Sequence, residues 1–167
     1  MRRTVIIILL VTAIGGGFLF ASPWWGGYRI AFDGYVVDSI APTEYLSINL
    51  NLKPFPFGPS LQAGLAMSVG EHLLASFGSD IPLFKLHNHP FATLFRRSSV
   101  YAPTLGISAI FDLTAPQCIS AAMTFQPLMF DFSDKQVGIL GVHVLWDLDK
   151  ETWGWGVRLF EISHYLW

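Results

Sequence analysis

Apolar and more polar side chains alternate with a period of two residues along most of this chain. Between residues 61 and 69, the odd positions are Leu, Ala, Leu, Met and Val, and the even positions are Gln, Gly, Ala and Ser. Between residues 45 and 52, the even positions are Leu, Ile, Leu and Leu, and the odd positions are Tyr, Ser, Asn and Asn. Side chains two residues apart lie on one face of a β-strand. These segments therefore predict strands with one apolar face and one more polar face.

Clusters of turn-forming residues separate the alternating runs and set the number of strands. The segments DSIAPTE, KPFPFGP, HNHPF and DFSDKQ are rich in Pro, Gly, Asp, Asn and Ser, which break regular structure. No run after residue 21 predicts a membrane-crossing helix. The sequence predicts one all-β domain of eight antiparallel strands, at residues 28–37, 44–53, 60–69, 73–86, 99–113, 118–130, 136–147 and 153–166. The fourth strand is the least regular, because it contains Gly78, Asp80 and Pro82.

The first residues, MRRTVIIILLVTAIGGGFLFASP, have the three-part organisation of a secretory signal peptide. Arg2 and Arg3 are followed by an uncharged apolar run, which ends at the small residue Ala21. The sequence thus predicts a signal peptide at 1–21 and an exported domain at 22–167. The alternative is an uncleaved anchor helix, because the apolar run is nearly long enough to span a bilayer.

Composition restricts the class of protein further. The chain is 52% hydrophobic and only 13% charged, which is little charge for the surface of a small soluble domain. Without Arg2 and Arg3, the 10 Lys and Arg fall to 8 against 12 Asp and Glu, so nucleic acid is not an expected partner. The single Cys118 excludes an internal disulfide, and no cofactor is expected.

The position of the charged residues indicates which face of the strands points outward. After residue 21, most charged residues fall at or next to the predicted turns, and five lie within strands: Arg29, Asp33, Asp112, Arg158 and Glu161. The less apolar strand face consists mainly of Gly, Ala, Ser, Asn and Gln, which suits a lumen better than a surface exposed to water. The pattern favours a transmembrane β-barrel with its apolar face toward lipid. An exported soluble lipid-binding barrel with the faces reversed is the alternative.

Aromatic residues fall near the ends of the predicted strands, where Trp and Tyr favour the membrane interface. We expect an interface belt formed by Trp24, Trp25, Tyr45, Trp146, Trp153, Trp155, Tyr165 and Trp167.

The C-terminal sequence SHYLW resembles the terminal segment of small eight-stranded bacterial outer-membrane β-barrel proteins. Those proteins finish on an aromatic residue with apolar residues at alternate positions before it, and Trp167, Tyr165, Leu159 and Val157 fit that pattern. Glu161 and Ser163 do not fit, so a bulge near Phe160 is needed to keep the Glu161 carboxylate away from lipid. The resemblance implies an up-and-down barrel in the bacterial outer membrane, with outer-membrane lipid and the barrel-insertion machinery as partners, the latter through the C-terminal strand.

Few residues suggest specific chemistry. Arg29 and Asp33 share the inward face of the first strand, and barrel closure brings Arg158 beside them, so we expect a polar lumen cluster of these three. His87 and His89 are explained by a turn, and no metal site is expected. His72 with Ser76, and His143 with Asp147, lie four residues apart on strands, roughly 13 Å, so neither pair touches and no catalytic residue is assigned.

An eight-stranded barrel is wide enough only for its own side chains or one small ligand. Small inward residues underfill that space, namely Gly64, Ala66, Gly106, Ala122 and Gly141. The predicted function is that of a small outer-membrane protein that is not an enzyme and is either structural or a conduit or binding site for a small apolar molecule. The alternative from another class is a membrane-embedded lipid-modifying enzyme.

Overall fold

A computed structural model describes residues 25–37, 43–53, 58–68, 73–87, 90, 99–114, 119–132 and 134–166. These residues form strands β1 (Trp25–Val37), β2 (Thr43–Lys53), β3 (Ser60–Ser68), β4 (Leu73–Pro82), β5 (Leu86–His87), β6 (Val100–Tyr101), β7 (Thr104–Asp112), β8 (Ile119–Gln126), β9 (Leu128–Asp131), β10 (Lys135–Asp147) and β11 (Thr152–Tyr165). Among the described residues, no helix has both the length and the apolar composition needed to cross a bilayer. The predicted signal peptide lies outside the described residues.

Eight of these strands close into one antiparallel barrel. Its wall runs in the order β1, β2, β3, β4, β7, β8, β10 and β11, and β11 pairs with β1 to complete the circle. Ile30 of β1, for example, faces Ile48 of β2 on one side and Ile162 of β11 on the other. The predicted up-and-down barrel of eight strands is therefore confirmed. Closure pairs the two outermost strands and leaves the wall without an open edge.

Prolines divide two of the predicted strands. Pro127 separates β8 from β9, and Pro103 lies between β6 and β7, because a proline has no N–H to donate to a neighbouring strand. Beyond these prolines, β9, β6 and β5 form a short extension of the sheet. We call the end of the barrel that carries this extension, Trp25 and Tyr165 the terminal end. The opposite end, where β10 turns into β11, is the hairpin end.

A β-bulge in β11 resets which side chains point inward. Phe32 of β1 faces Phe160, but the next residue, Asp33, faces Arg158, so Leu159 has no partner in β1. Leu159 and Phe160 are consequently both exposed on the outside, and Glu161 is fully buried inside. Opposite Leu159 in β10, Leu140 has a φ of 56°, in the left-handed region that a leucine rarely adopts. The bulge required by the sequence is thus present, one residue before Phe160.

The bulge also corrects the predicted role of Tyr165. The C-terminal pattern placed Tyr165 on the outer face, in the aromatic belt, but its side chain is only 4% exposed and lies inside the barrel. After the extra residue at Leu159, the outward positions are Phe160, Ile162 and Leu166. Trp167 lies outside the described residues.

The two faces of the barrel wall differ in polarity. Large apolar side chains point outward and are exposed, with Leu50 at 71% and Trp153 at 64%. The most deeply buried side chains include charged ones, among them Arg29 and Lys53 at 0% exposure. A soluble lipid-binding barrel has the reverse arrangement, so that alternative does not fit this fold.

Candidate functional site in the barrel lumen

The central part of the lumen is occupied by Arg158 of β11 and its two carboxylate partners. Nε and Nη2 of Arg158 donate to the two carboxylate oxygens of Asp33, at 2.6 and 3.0 Å, and Nη1 donates to Oε2 of Glu161 at 2.5 Å. Arg158 and Glu161 are three residues apart and normally face opposite sides of a strand. The bulge at Leu159 turns both inward. Paired, bidentate geometry of this kind stabilises charges that are removed from water.

Arg29 of β1 forms a second group on the same network. Its guanidinium donates to Asp80 of β4 and to Gln62 of β3, and its Nε lies 3.1 Å from Oε1 of Glu161. Glu161 therefore connects the two arginines. The three residues predicted to form a lumen cluster all lie in the lumen. Asp33 and Arg158 are in direct contact, whereas Arg29 joins them through Glu161.

A third group lies inside the lumen at the terminal end. Nζ of Lys53 lies 2.8 Å from Oδ2 of Asp131, and Nε2 of Gln136 donates to the same oxygen at 2.9 Å. The hydroxyl of Tyr165 donates to Oε1 of Gln136 at 2.9 Å, and the ammonium of Lys53 lies over the Tyr165 ring, 4.7 Å from its centre. Tyr165 therefore belongs to this group rather than to an interface belt.

Sequence reasoning missed much of this network, because it placed Lys53, Asp80 and Asp131 at turns. Each of them lies within a strand and points inward. For Asp80, a usable indication was present, since it continues the alternation of Ser76 and Gly78 on the inward face of β4. For Asp131, none was available, because Pro127 interrupts the alternation before it.

His143 of β10 lies between a hydroxyl and a carboxylate. Its Nδ1 is 2.7 Å from Oγ1 of Thr124, and its Nε2 is 3.3 Å from Oδ1 of Asp33. The sequence paired His143 only with Asp147, whereas its partners come from neighbouring and distant strands, β8 and β1. His72 lies outside the described residues, and Ser76 donates to Asn49 at 3.0 Å.

The Thr124, His143 and Asp33 side chains have the order of a nucleophile, a base and an orienting acid. All three are buried and border a cavity of about 40 Å³, which has room for about three water molecules. A phospholipid ester does not fit there. The geometry gives no support to acyl-chain chemistry at this position, and the absence of an enzymatic activity stays a prediction.

We call this space the hairpin-end cavity. It is a part of the lumen that the described side chains leave unfilled. It is lined by Asp33, Ser47, Asn49, Gln62, Ala66, Leu74, Ser76, Ser108, Ile110, Ala122, Thr124, His143 and Arg158. Ala66 and Ala122 are two of the small residues predicted to underfill the lumen. Nine of these thirteen residues are polar or charged, whereas Ala66, Leu74, Ile110 and Ala122 add apolar surface. Binding of a small apolar ligand stays a prediction.

The structure describes only some of the remaining aromatic and histidine residues that the sequence analysis named. Trp146, Trp153 and Trp155 are exposed near the hairpin end, and the rings of Trp146 and Trp153 stack at 5.4 Å. Trp25 and Tyr45 are partly exposed, and Trp24 lies outside the described residues. Across the described part of the chain, no three His, Cys, Asp or Glu side chains are grouped for a metal ion. His87 belongs to that part, and His89 and Cys118 do not.

Comparisons with known proteins add little to this description. Neither a protein-family model nor a curated protein matches the chain. One solved structure, the solution NMR structure of the de novo designed TMB2.3, matches over 86% of this chain and 96% of that chain. Its sequence identity is 11% and the TM-score is 0.46.

Proposed function

We propose that this protein is a structural barrel that spans a membrane and has a lumen closed to ions. The observation that carries the proposal is the polarity of the wall. Large aliphatic side chains such as Ile48, Leu50 and Met67 are exposed outside, while charged side chains are buried inside. In water this arrangement exposes apolar surface without compensation, whereas in a bilayer the same surface is solvated by lipid.

The length of the strands supports the same proposal. A strand that crosses a bilayer at a tilt needs about 9–11 residues. β2 has 11 residues, β3 and β7 have 9 each, and β4 has 10. The exposed Trp146 and Trp153 near the hairpin end suit a membrane interface.

A structural role is favoured over a conduit because ion pairs cross the lumen at two levels. Arg158 with Asp33 and Glu161 fills the middle of the lumen, and Lys53 with Asp131, Gln136 and Tyr165 fills the terminal end. Among the described lumen residues there is no continuous apolar path for a small molecule, and the cavity beside Thr124, His143 and Asp33 is too small for a phospholipid ester.

We further propose the bacterial outer membrane as the location. This step rests on the sequence, through the signal-peptide-like residues 1–21 and the resemblance of the C-terminal segment. Outer-membrane lipid is then the immediate environment, and the barrel-insertion machinery is the expected partner of β11.

The first test is heat modifiability of the protein without residues 1–21. We expect the protein, refolded in detergent, to migrate differently on a denaturing gel before and after boiling, and to give a β-type circular dichroism spectrum only with detergent. A β-type spectrum in plain buffer with no shift on boiling would sink the proposal, because the apolar face would then not need lipid.

The second part of the test is conductance in a planar bilayer. A closed lumen predicts no ion-conducting steps from inserted protein. A protein that shows the gel shift and also conducts would retain the membrane barrel but contradict the closed lumen. The wall substitution Leu50→Lys serves as a control, because a charge on the lipid face impairs insertion without touching the lumen.

A further inference from the structure

The two ends of the β10–β11 hairpin carry different side chains on the outer face of the barrel. At the hairpin end, Trp146 of β10 pairs with Trp153 of β11, and both side chains are exposed. At the terminal end, Lys135 of β10 pairs with His164 of β11. These two side chains also point outward, because Ser163, the residue before His164, is fully buried inside the barrel.

The outer face between these two pairs is continuously apolar. Every outward position between residues 137 and 144 of β10, and between 155 and 162 of β11, is Val, Ile, Leu, Phe or Trp. Lys135 and Trp146 are 11 residues apart on β10. With the rise of a β-strand and the tilt of a membrane barrel, that separation corresponds to a height of about 28 Å. The apolar core of a bilayer is about 30 Å thick. When the tryptophan pair lies at one membrane interface, Lys135 and His164 therefore lie at the other.

Tyr28 of β1 extends the terminal-end pair by one strand. It faces His164 where β1 and β11 close the barrel, and its side chain is 39% exposed. The two rings lie edge to face, with centroids 5.7 Å apart and planes at 86°. Lys135, His164 and Tyr28 thus form a row across three adjacent strands, which we call the rim cluster. Because neighbouring strands are about 4.8 Å apart, the row spans about 10 Å, which a lysine side chain shortens by bending toward His164.

The rim cluster offers one positive charge and several hydrogen-bond donors. Lys135 has an ammonium group, His164 has a ring N–H in either protonation state, and Tyr28 has a hydroxyl. Among the described residues, no carboxylate lies within ion-pair distance of Lys135, and the carboxylate of Asp134, its neighbour in the chain, forms no ion pair with it. An exposed cation at a membrane interface attracts the anionic groups of lipids.

An apolar track begins directly beside the rim cluster. Ile162 of β11 lies two residues from His164, on the same face, and pairs with Ile30 of β1 on one side and with Val137 of β10 on the other. Ile162 and Ile30 are exposed, at 47% and 36%. Polar donors followed by an exposed apolar track match the order of a phospholipid, in which a phosphate is followed by acyl chains.

We infer that the rim cluster binds the phosphate of an anionic membrane phospholipid. The ammonium of Lys135 pairs with the charge of the phosphate, and His164 and Tyr28 donate hydrogen bonds to its oxygens. The acyl chains lie along the track of Ile162 and Ile30. A zwitterionic phospholipid carries its own cation, which competes with Lys135 for the phosphate, so the site prefers a lipid with net negative charge. This inference rests on the proposed function, since it requires that the barrel spans a membrane.

The test uses the full barrel in nanodiscs of phosphatidylcholine, in which phosphatidylglycerol replaces an increasing fraction of the lipid. NMR signals of the His164 and Tyr28 rings are the reporters. We expect both signals to shift and to saturate at a low fraction of phosphatidylglycerol. Inorganic phosphate added to pure phosphatidylcholine nanodiscs is expected to give no saturable shift, because it lacks the acyl chains.

Variants of the rim cluster separate a site from general attraction between charges. Lys135→Gln is expected to raise the half-saturating fraction of phosphatidylglycerol about fivefold, and Lys135→Arg to leave it nearly unchanged. Lys150→Gln removes the same charge at the hairpin end and is the matched control, with no effect expected on the Tyr28 signal. His164→Phe retains a ring beside Tyr28 without an N–H and is expected to weaken binding about twofold.

Three results would overturn the inference: a shift that rises linearly with the fraction of phosphatidylglycerol, equal effects of Lys135→Gln and Lys150→Gln, and saturation by inorganic phosphate at the same concentration as by lipid. The last result indicates a site for free anions. A barrel that shows the gel shift on boiling but no preference for phosphatidylglycerol would remove this inference and leave the membrane barrel intact. A protein that neither shows the gel shift nor enters nanodiscs would remove both.

Discussion

The two halves of the lumen differ in how their side chains fill the interior of the eight-stranded barrel. Toward the terminal end, Arg29, Lys53, Asp80 and Asp131 are buried and connected by ion pairs, with Tyr165 packed against Lys53. Toward the hairpin end, the inward residues are mainly hydroxyls, amides and small or aliphatic side chains, and a cavity remains. Long charged side chains fill space when each has a partner, whereas short side chains leave room for solvent.

The comparison teaches that polarity alone does not decide whether such a lumen is closed. Both halves are polar, but the terminal half and the middle are more completely filled, because arginine, lysine and tyrosine side chains reach into the interior. Ser47 and Ser108 have the polarity to line a lumen and lack the length to cross it.

The largest expected effect lies at the boundary between the halves. Arg158→Ala leaves Asp33 and Glu161 without the cation that both contact. We expect the free energy of unfolding to fall by about 3–5 kcal/mol, the cost of removing one partner of a buried ion pair, with Asp33 most affected because Glu161 keeps its contact with Arg29. Urea unfolding in micelles measures this. Ser108→Ala, in the hydroxyl-lined half, is the control and is expected to change stability by less than about 0.5 kcal/mol. If Arg158→Ala and Ser108→Ala lower the free energy of unfolding equally, the two halves do not differ in how much their side chains stabilise the fold.

A second experiment tests whether charge or filled volume seals the terminal end. Lys53→Met removes the partner of Asp131 and is expected to cost about 3 kcal/mol. Lys53→Met with Asp131→Leu replaces the whole pair by apolar groups of similar size, and we expect it to recover most of that loss. The measurement is the same urea unfolding for both variants. If the double variant is no more stable than the single one, the ion pair itself is needed.

The smallest expected effect concerns the buried hydrogen bond at the edge of the cavity. Thr124→Val removes the hydroxyl that contacts Nδ1 of His143 and is expected to lower the unfolding free energy by about 1–2 kcal/mol. Thr124→Ser retains the hydroxyl and serves as the matched variant. A larger loss for Thr124→Ser than for Thr124→Val would show that the methyl group, not the hydrogen bond, matters at this position.

Much of the wall could be predicted from the sequence. Alternation with a period of two depends only on the backbone of a strand, so the segment 44–53 gave β2 to within one residue. The exceptions lie where the alternation is interrupted. The predicted strand 118–130 is divided at Pro127 into β8 and β9. Gly78, Asp80 and Pro82 made β4 look irregular, although Gly78 and Asp80 continue its inward face.

The lumen network was far less accessible from sequence. Arg29, Asp33 and Arg158 were found by their position within strands, but Asp80 comes from another part of the chain, and Glu161, in the same strand as Arg158, meets it only because of the bulge. No local sequence pattern indicates which charged side chains come into contact when the eight strands form a closed barrel. The bulge could be inferred as necessary from Glu161, whereas its position at Leu159 depends on the register between β11 and β1.

The sequence by itself determined the number of strands in the barrel wall, the approximate ends of most of them and the apolar character of one face, because these follow from local backbone geometry. Only the tertiary structure decided how Tyr165 and Glu161 point inward, which arginine meets which carboxylate, and where the lumen remains open. Those features depend on strand register and on the distance across the barrel, and neither is encoded in any single strand.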